Sequence, residues 1–496
     1  MAMQRYVLGI DAGTTGVTAA LIDADGRIAA SASAEFPQYY PRPGWVEHDP
    51  EELWATTVDV TGQLLTDTPE AQLACVGITN QRETAVVWDR ASGGPIHNAI
   101  VWQCRRTTER CETLREGGHE PAITAATGLV ADPYFSGPKI EWLLDSVPGA
   151  RQRADELAFG TVDTWLIWKL TGGREHVTDF TNASRTMLLN IDDRCWDDDM
   201  LALLNVPKSM LPELASSCAA FGVTRSVDCL PDGVPIRGVA GDQQSALYGQ
   251  ICFDTGAVKN TYGTGCFLLM HAGDERPQSE HGLLTTLACA ADGSPAYALE
   301  GSVFVAGAAV QWLRDELDVL VTAADSEAVA ASVADTGGVT FVPAFTGLGS
   351  PYWDANARGG IYGLTRGTTR AHIVRAALEG IAHSSADVVE AMQRDVGARL
   401  STLRVDGGAS ANDFLMQFQA DVLDVEVARP RQIETTVLGA AYLAGLDVGM
   451  WTPDELRSLD DGARRFTPAM SDAARGAHRA AWADAVDRVR WTPSRG

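Results

Sequence analysis

The opening of the chain and a segment near its middle share one pattern, in which two short apolar runs flank a turn containing glycine and threonine. The first copy has its runs at 6–10 and 17–22, and the second has them at 257–261 and 266–270. Runs of this length joined by glycine turns predict β-hairpins. Because the pattern recurs at the middle of the chain, we predict two domains, at residues 1–250 and 251–496.

The rest of the chain alternates short β-type runs with longer segments of helical periodicity, and this alternation predicts an α/β fold. Beyond about residue 455 we expect surface helices. The other predicted elements are a strand at 402–405 and helices at 51–65, 139–144, 369–392 and 412–423.

The chain is acidic because it lacks bases. Its 496 residues include 65 Asp and Glu but only 39 Lys and Arg, for a formal net charge of −26. A globular chain of this length would carry about 62 of each kind, so the acids are ordinary in number and the bases are few. Binding to nucleic acid or to an anionic membrane needs many cations. We therefore expect neither nucleic acid nor a membrane as a partner.

The sequence also carries no sign of export or membrane insertion. It contains no stretch of about 18 apolar residues, and the N-terminus enters a strand-like run without a secretory leader. The nine cysteines are scattered without a C-x-x-C pair, and the nine histidines show no zinc-ligand spacing. We expect a cytoplasmic protein with free thiols.

Three glycine-rich turns are candidates for holding phosphate groups: DAGTTG (11–16), YGTG (262–265) and DGGASAN (406–412). Bare backbone lets N–H groups approach phosphate oxygens, and hydroxyl groups add donors. One such turn alone is more often only a turn, whereas three of them favour a phosphate site. No lysine follows a glycine and no G-x-G-x-x-G occurs, which excludes a P-loop and a dinucleotide glycine loop. What remains is a fold that holds phosphates with hairpin turns, Mg²⁺ and carboxylates.

Asp11 and Asp242 are the candidate carboxylates. Each ends an apolar run beside a glycine, where a strand delivers a side chain to a cleft. Transfer of a phosphoryl group to an alcohol requires a positioned metal ion and a base near the hydroxyl group. The alternative for either residue alone is an Asx turn or a helix N-cap.

The segment NQRE (80–83) is a candidate binding site for a small polyol. Each hydroxyl group needs partners, because a buried unpaired polar group costs about 1–3 kcal/mol. Adjacent Arg82 and Glu83 would face opposite sides of a regular strand, so a joint role requires irregular backbone. Taken alone, they are more often an exposed ion pair. The aromatic residues available to cover the carbon atoms, otherwise core residues, are Trp102, Tyr134 and Phe267.

At these residues the sequence resembles the glycerol kinases of the FGGY carbohydrate kinase family. The resemblance runs from about residue 5 to about residue 450. It implies a duplicated two-domain α/β fold of the actin, hexokinase and Hsp70 type (ribonuclease H-like), with the active site in a cleft between the domains. The blocks that carry it are GWVEHDP (44–50), GITNQRET (77–84), NAIVWQCRRT (98–107), TGLVADPYFSG (127–137), FGTVDTWLIWKLT (159–171), TNASRTML (181–188), GVAGDQQSALYGQ (238–250), KNTYGTGCFLLM (259–270), AGAAVQWLRDE (306–316), PAFTGLGSPYWD (343–354), GIYGLTRGTT (360–369) and RVDGGASANDFLMQFQ (404–419).

The resemblance also implies an activity, the transfer of phosphate from ATP to glycerol with Mg²⁺ as cofactor, giving ADP and sn-glycerol 3-phosphate. Asp242 would be the catalytic base, and Asp11 and Asp242 would hold Mg²⁺. The implied glycerol ligands are Arg82, Glu83, Tyr134, Asp242 and Gln243, with Trp102 and Phe267 against the carbons. The implied nucleotide ligands are Thr14, Thr15, Gly16 and Thr264 near the phosphates, and Gly307, Gln311, Gly408 and Asn412 in the nucleotide pocket.

Two segments, at 80–83 and in the first hairpin, refine the expected substrate and nucleotide affinity. Pentulose kinases of the superfamily usually carry Gln-x-His-Gly where this chain has NQRE (80–83), so Arg82 and Glu83 favour glycerol over a sugar. The first hairpin has Ala12, Gly16 and Thr18 where glycerol kinases usually have Gln, Ser and Arg. We therefore expect an altered nucleotide affinity.

Regulation is expected to differ from some relatives. Segment 226–235 lacks the glycine- and arginine-containing loop with which some bacterial members bind fructose 1,6-bisphosphate. It also has no histidine that could be phosphorylated. We expect both controls to be absent.

Two other functions stay open from the sequence. The same fold can phosphorylate another polyol or a ketose, and an ATP-driven conformational switch of the actin or Hsp70 kind uses the same hairpins. The switch needs no polyol pocket, so Arg82, Glu83, Trp102 and Tyr134 argue against it. The family often forms dimers and tetramers, and by analogy we expect a homo-oligomer.

Overall fold

Strands and helices alternate along the computed structural model of the protein, which describes residues 5–354, 356–397, 399–459 and 462–490. The strands of the N-terminal half are β1 (Arg5–Ala12), β2 (Gly16–Ile22), β3 (Ile28–Glu35), β4 (Glu47–His48), β5 (Gln72–Asn80), β6 (Val86–Asp89), β7 (Ala99–Ile100), β8 (Leu157–Gly160), β9 (Val177–Asp179), β10 (Leu189–Asn190), β11 (Cys195–Trp196), β12 (Glu213–Ala215) and β13 (Ile236–Gly241). Those of the C-terminal half are β14 (Val258–Tyr262), β15 (Cys266–Gly273), β16 (Leu284–Cys289), β17 (Pro295–Val303), β18 (Thr340–Val342), β19 (Gly360–Tyr362), β20 (Thr402–Asp406), β21 (Glu426–Arg429) and β22 (Arg464–Phe466).

The helices include all four that periodicity predicts, at 51–65, 139–144, 369–392 and 412–423. In the N-terminal half they are α1 (Pro50–Asp67), α2 (Thr108–Glu116), α3 (Glu120–Thr127), α4 (Ser136–Ser146), α5 (Val162–Leu170), α6 (Phe180–Ala183), α7 (Asp198–Leu203) and α8 (Asp242–Gly249). In the C-terminal half they are α9 (Gly307–Asp315), α10 (Asp325–Ala331), α11 (Arg370–Val396), α12 (Asp413–Leu423), α13 (Thr435–Asp447), α14 (Pro453–Arg457) and α15 (Asp472–Arg490). Short 3₁₀ helices lie at Arg151–Glu156, Lys208–Met210 and Gly408–Ala411.

A five-stranded sheet forms the centre of the N-terminal half, in the order β3–β2–β1–β5–β13. The pairs β3–β2 and β2–β1 are antiparallel, whereas β5 and β13 run parallel to β1. Residues 7–10 of β1 are all buried, because helices cover both faces of the sheet and the strand has no solvent side.

The larger sheet of the C-terminal half contains the same arrangement. Its order is β16–β17–β15–β14–β20–β21–β22. Within it, β17–β15–β14–β20–β21 repeats both the order and the relative strand directions of β3–β2–β1–β5–β13. The repeated hairpin pattern in the sequence is therefore part of a repeated sheet, and the expectation of a duplicated α/β fold is confirmed.

Two local predictions differ from the structure. Strand β1 continues through Asp11 to Ala12, because these residues pair with Thr79 and Asn80 of β5. The chain beyond residue 455, predicted as surface helices, also contains strand β22, which pairs with β21 at the sheet edge. Its three residues Arg-Arg-Phe are too few to carry an alternating apolar pattern.

The two halves exchange helices. Helix α8 follows the N-terminal sheet in the chain and packs against β14 and β15 of the other sheet. Helix α13 follows strands of the C-terminal sheet and packs on β1, β5 and β13. The two helices also pack against each other. One apolar core, with residues such as Val7 and Cys75 from the N-terminal sheet and Val437 and Ala441 from α13, thus joins the halves.

Glycine allows α13 to lie unusually close to its neighbours. A Cβ atom at Gly77 would lie 2.3 Å from the carbonyl oxygen of Ala440. On the opposite side of the helix, a Cβ atom at Gly439 would lie 1.8 Å from the carbonyl oxygen of Ser245 in α8. Backbone therefore meets backbone on both sides of α13. We call these contacts, at Gly77 and Gly439, the seam.

No helix within the described residues is long and apolar enough to cross a membrane. The nine cysteines are all free thiols, as the scattered spacing predicts.

The seam predicts that Gly77→Val destabilises the protein. The new side chain would meet a helix carbonyl that cannot move by itself, so we expect the free energy of unfolding to fall by about 1–3 kcal/mol or more. Urea titration measures this change. Gly476→Ala in α15 is the control, because a Cβ atom there meets nothing within 4 Å, and it should be neutral or stabilising by up to about 1 kcal/mol. Equal stability of the Gly77→Val variant and the parent would contradict the close contact.

Candidate active site

The segments that carry the predicted site residues meet in a cleft between the two sheets. The indole N–H of Trp102 donates to the hydroxyl oxygen of Thr14 in the β1–β2 turn, at 2.9 Å. The ring of Trp102 also lies edge-on to Phe267, with 6.1 Å between the ring centroids. Because Phe267 lies in β15, just after the second hairpin turn, both predicted phosphate turns border the same cleft.

Arg82 and Glu83 lie just past the end of β5, where the backbone leaves the strand in a bend. They are only 1% and 2% exposed, so the alternative of an exposed ion pair is wrong. The bend is the irregular backbone that a joint role requires. It brings Nε of Arg82 to 3.5 Å from Oε1 of Glu83.

Arg82 connects several of the predicted acceptor residues. Its Nη1 donates to Oε1 of Gln244 at 3.1 Å and to Oε2 of Glu300 at 2.6 Å. Its Nη2 donates to the hydroxyl oxygen of Tyr134 at 3.3 Å. Its Nε lies 3.2 Å from Oδ1 of Asp242. Tyr134 and Asp242 are thus held around one guanidinium group.

Glu300 and Arg185 complete this charged cluster, and sequence reasoning missed both. Arg185 donates from Nε to Oε1 of Glu83 at 2.8 Å and from Nη2 to Oε1 of Glu300 at 2.7 Å. Burial by itself would raise the pKa of Glu300, but Arg185 and Arg82 outweigh burial and hold that pKa at about 2. We call Arg82, Glu83, Arg185 and Glu300 the buried quartet. A signal was available, since Glu300 is the lone charge in an apolar run at 296–305.

Three aromatic side chains line the cleft beside the quartet. Trp102 contacts both Tyr134, at 5.5 Å between ring centroids, and Phe267, and both contacts are edge-to-face. All three residues are half-buried rather than sealed in a core. Their partly exposed carbon surfaces can cover the carbon atoms of a small ligand.

Asp242 and Asp11 lie at the carboxyl edge of the N-terminal sheet, Asp11 near the end of β1 and Asp242 directly after β13. Asp242 is the first residue of α8, but Gly241 is the N-cap, and Asp11 lies within β1. Neither residue therefore caps a helix. Burial raises the pKa of Asp242, and Arg82 offsets part of that effect. Burial, Asp242 and Glu434 together raise the pKa of Asp11 to about 8.

One oxygen of Asp11 fits a role as a metal ligand. Oδ1 of Asp11 is buried and accepts no hydrogen bond, which leaves an acceptor that a cation or its water can satisfy. The described residues contain no group of three His, Cys, Asp or Glu side chains able to hold a metal by themselves. A Mg²⁺ ion here would need phosphate oxygens and water as its further ligands, which is how Mg²⁺ is usually bound.

Two buried lysines donate hydrogen bonds to segments that carry predicted site residues. The sequence analysis gave neither lysine a role. Nζ of Lys139 donates to the carbonyl oxygens of Tyr134 at 2.5 Å, Phe135 at 3.0 Å and Glu83 at 3.3 Å. Burial lowers the pKa of Lys139 to about 7. Lys259, in β14, donates to the side-chain amide of Gln243 in α8. Both lysines lie next to predicted glycerol ligands.

The first hairpin turn presents little besides backbone and hydroxyl groups. The carbonyl oxygen of Thr14 accepts from the side-chain amide of Gln38 at 3.0 Å, and Thr15 is exposed. A Cβ atom at Gly16 would lie 2.5 Å from the carbonyl oxygen of Ala34 in β3. The close approach of β3 favours glycine at position 16, because a side chain there would require the neighbouring backbone to shift.

A cavity of about 370 Å³ opens beside the second hairpin turn. A Cβ atom at Gly408 would meet nothing within 4 Å, so this glycine borders open space. Nδ2 of Asn412 donates to the hydroxyl oxygen of Ser326 at 3.1 Å, which adds Ser326 to the walls. The predicted nucleotide residues that line this cavity are Thr264, Gly307, Gln311, Gly408 and Asn412.

The quartet predicts an acid-sensitive stability. The pKa of Glu300 is about 2 in the folded protein against an ordinary value of 4.5, so ionised Glu300 stabilises the fold above about pH 4.5. That contribution, on the order of 3 kcal/mol, is lost as the pH falls from about 4.5 towards 2. Urea titrations of Glu300→Gln and the parent should differ by this order at pH 7, and the difference should shrink at about pH 3.5.

The control for this prediction is Glu156→Gln, which removes an exposed acid paired with Arg153. Exposed pairs contribute about 0–1 kcal/mol. If Glu300→Gln cost no more than Glu156→Gln at pH 7, the quartet would not be a stabilising unit.

Comparison with known proteins agrees with this arrangement. Residues 6–249 match the N-terminal domain of the FGGY family of carbohydrate kinases, and residues 258–448 match its C-terminal domain. The chain is 56% identical over 494 residues to a glycerol kinase of Petrotoga mobilis, covering 98% of this chain and 99% of that protein. It is 55% identical over 499 residues to a glycerol kinase of Pseudomonas fluorescens, covering 99% of this chain and 98% of that protein.

Solved structures of carbohydrate kinases are also similar to this chain. The crystal structure of Plasmodium falciparum glycerol kinase with ADP superposes with a TM-score of 0.92 at 38% identity, covering 99% of both chains. A gluconate kinase from Lactobacillus acidophilus shares the fold, with a TM-score of 0.87 at 23% identity and coverage of 98% of this chain and 97% of that one. From its sequence, its repeated sheet and these matches, the chain belongs to the FGGY family of carbohydrate kinases.

Proposed function

We propose that the protein transfers the γ-phosphate of ATP to glycerol, giving ADP and sn-glycerol 3-phosphate. The observation that carries this proposal is the group of side chains around Arg82, in which Asp242, Tyr134 and the half-buried rings of Trp102 and Phe267 lie close together. We propose that these side chains form the glycerol pocket. The relatives named glycerol kinase, at 55–56% identity over nearly the full chain, support it.

Glycerol fits the pocket because it needs polar partners and apolar cover at once. Its hydroxyl groups would bond to Arg82, Glu83, Tyr134, Asp242 and Gln243. Its carbon atoms would lie against Trp102 and Phe267. The quartet holds Arg82 and Glu83 in place before glycerol arrives, which reduces the side-chain entropy lost on binding.

Asp242 would act as the general base. Its carboxylate takes the proton of the attacking hydroxyl group while the glycerol oxygen bonds to the γ-phosphorus, and the bond from that phosphorus to the bridging oxygen of ADP breaks. A carboxylate with a raised pKa is a stronger base than an ordinary one, which suits this step.

ATP would bind across the two hairpin turns and the adjoining cavity. Thr14, Thr15, Gly16 and Thr264 would face the phosphates with backbone N–H groups and hydroxyl groups. The rest of the nucleotide would occupy the 370 Å³ cavity, against Gly307, Gln311, Gly408 and Asn412. Closure of the cleft on both substrates would exclude water that otherwise hydrolyses ATP.

Mg²⁺ is the cofactor that this chemistry requires. Bound with ATP, it would neutralise phosphate charge and polarise the transferring group. Asp11, whose Oδ1 lacks a partner, and Asp242 are the residues that we propose hold it.

The remaining expectations form part of the same proposal. We propose that the division into two domains falls near residue 250, that the protein works in the cytoplasm, and that it forms a homo-oligomer. We also propose that fructose 1,6-bisphosphate and phosphorylation of a histidine do not control it. An effect of fructose 1,6-bisphosphate on activity at physiological concentration would contradict the first of these two absences.

A coupled assay of ADP release tests the function. With ATP and Mg²⁺ present, we expect release to depend on glycerol and to be much slower with other polyols and ketoses. Faster release with a ketose would assign the protein to the sugar kinases. Release that no acceptor stimulates would point to an ATP-driven switch. Either result would overturn the proposal.

Asp242→Asn tests the role of the base. The amide keeps the size of the side chain but cannot take a proton, so we expect kcat to fall by about 10²- to 10⁴-fold while glycerol affinity, measured by calorimetry, changes only modestly. Asp198→Asn is the control, because Asp198 is 80% exposed and pairs only with Lys208 at the surface. Near-normal turnover of Asp242→Asn would show that Asp242 is not the general base.

A further inference from the structure

Lys259 is a buried cation with no carboxylate at ion-pair distance among the described residues. It lies in β14 with 0% of its surface exposed. Its Nζ donates to Oε1 of Gln243 and, at 2.8 Å, to the hydroxyl oxygen of Thr261. Burying an ammonium group is costly unless it is well paired, so the two oxygen atoms that accept from Nζ must offset much of that cost.

The contact with Gln243 determines which way the amide group of Gln243 points. A side-chain amide has an oxygen that accepts and a nitrogen that only donates. An ammonium group only donates, so the atom of Gln243 that meets Lys259 must be Oε1. The N–H groups of Nε2 are thereby turned away from Lys259.

Those N–H groups are left for a ligand. Nε2 of Gln243 makes no hydrogen bond to the protein anywhere in the described ranges, and it is not among the atoms sealed from solvent. Gln243 follows Asp242 at the start of α8, so one helix end supplies both the proposed catalytic carboxylate and the unpaired amide donor.

We propose that Lys259 is a positioning residue for substrate recognition: it fixes the side-chain amide of Gln243 so that Nε2 donates to a hydroxyl oxygen of the polyol. This inference rests on the proposed function, and it adds a specificity determinant to the same site. Lys259 comes from the C-terminal half and Gln243 from the N-terminal half, so the determinant depends on both.

The first test uses Gln243→Glu and Gln243→Leu. Glutamate keeps an acceptor for Lys259 but has no N–H, so it preserves the buried contact and removes the proposed donor. We expect both variants to raise the KM for glycerol by about tenfold, and the KM for ATP to stay within about twofold of the parent. A glycerol KM of Gln243→Glu equal to that of the parent would overturn the proposal. This test stands even where a variant at Lys259 fails to fold.

The second test is a double-mutant cycle that combines Lys259→Met with Gln243→Leu. If Lys259 acts through the amide, Lys259→Met raises the KM for glycerol several-fold in the parent and leaves it unchanged in the Gln243→Leu background. Lys259→Arg, which keeps a donor, should recover part of the loss. An equal effect of Lys259→Met in both backgrounds would mean that it acts by another route, and would overturn the proposal.

A measurement on the unmodified protein distinguishes failure of this proposal from failure of the proposed function. Glycerol-dependent ADP release by the unmodified protein is measured first, and its absence would mean that the proposed function has failed. With that activity present, only the variant ratios decide the role of Lys259. Thermal melts of each variant confirm that the compared proteins are folded.

Discussion

The candidate site depends on one arrangement of charges, the buried quartet of Arg82, Glu83, Arg185 and Glu300. Each ion alone would be costly to bury, and the close pairs that Arg82 and Arg185 form with Glu300 and that Arg185 forms with Glu83, at 2.6–2.8 Å, offset that cost. Glu300 comes from the C-terminal sheet, whereas Arg82 and Arg185 come from the N-terminal half. The quartet therefore holds residues of the proposed glycerol pocket in place and also joins the two halves, because its ion pairs run between them.

Local features of the sequence were sufficient for much of the fold and part of the site. The repeated hairpins follow from apolar runs and glycine turns, and Arg82 and Glu83 could be selected because polar residues follow an apolar run directly. Glu300 could not be placed in the same way, because it is 218 residues from Arg82 in the chain and no spacing rule reaches that far. Gly16 shows a second limit of prediction from sequence. Its position in a glycine-rich turn is readable from sequence, but the close approach of the β3 backbone, which favours glycine there, is seen only in the structure.

The acidity of the chain and the chemistry of its site are separate properties. A protein with a net charge of −26 repels an anion such as ATP at long range, so the nucleotide site that we propose relies on nearby amide and hydroxyl groups and on the proposed Mg²⁺. The bases that the chain does have are used selectively. Two of its four lysines, Lys139 and Lys259, are fully buried next to residues of the proposed glycerol pocket and so are not part of the charged surface.

The seam also constrains how the protein can be made. Strands β1, β5 and β13 are complete once residue 241 has been synthesised, yet the face that α13 covers stays open until residue 447 has left the ribosome. Throughout the intervening 206 residues (447 minus 241), a sheet surface containing Gly77 has no partner. The N-terminal half of this chain therefore cannot finish folding during translation by itself, and an apolar surface must be protected until nearly the whole chain has emerged.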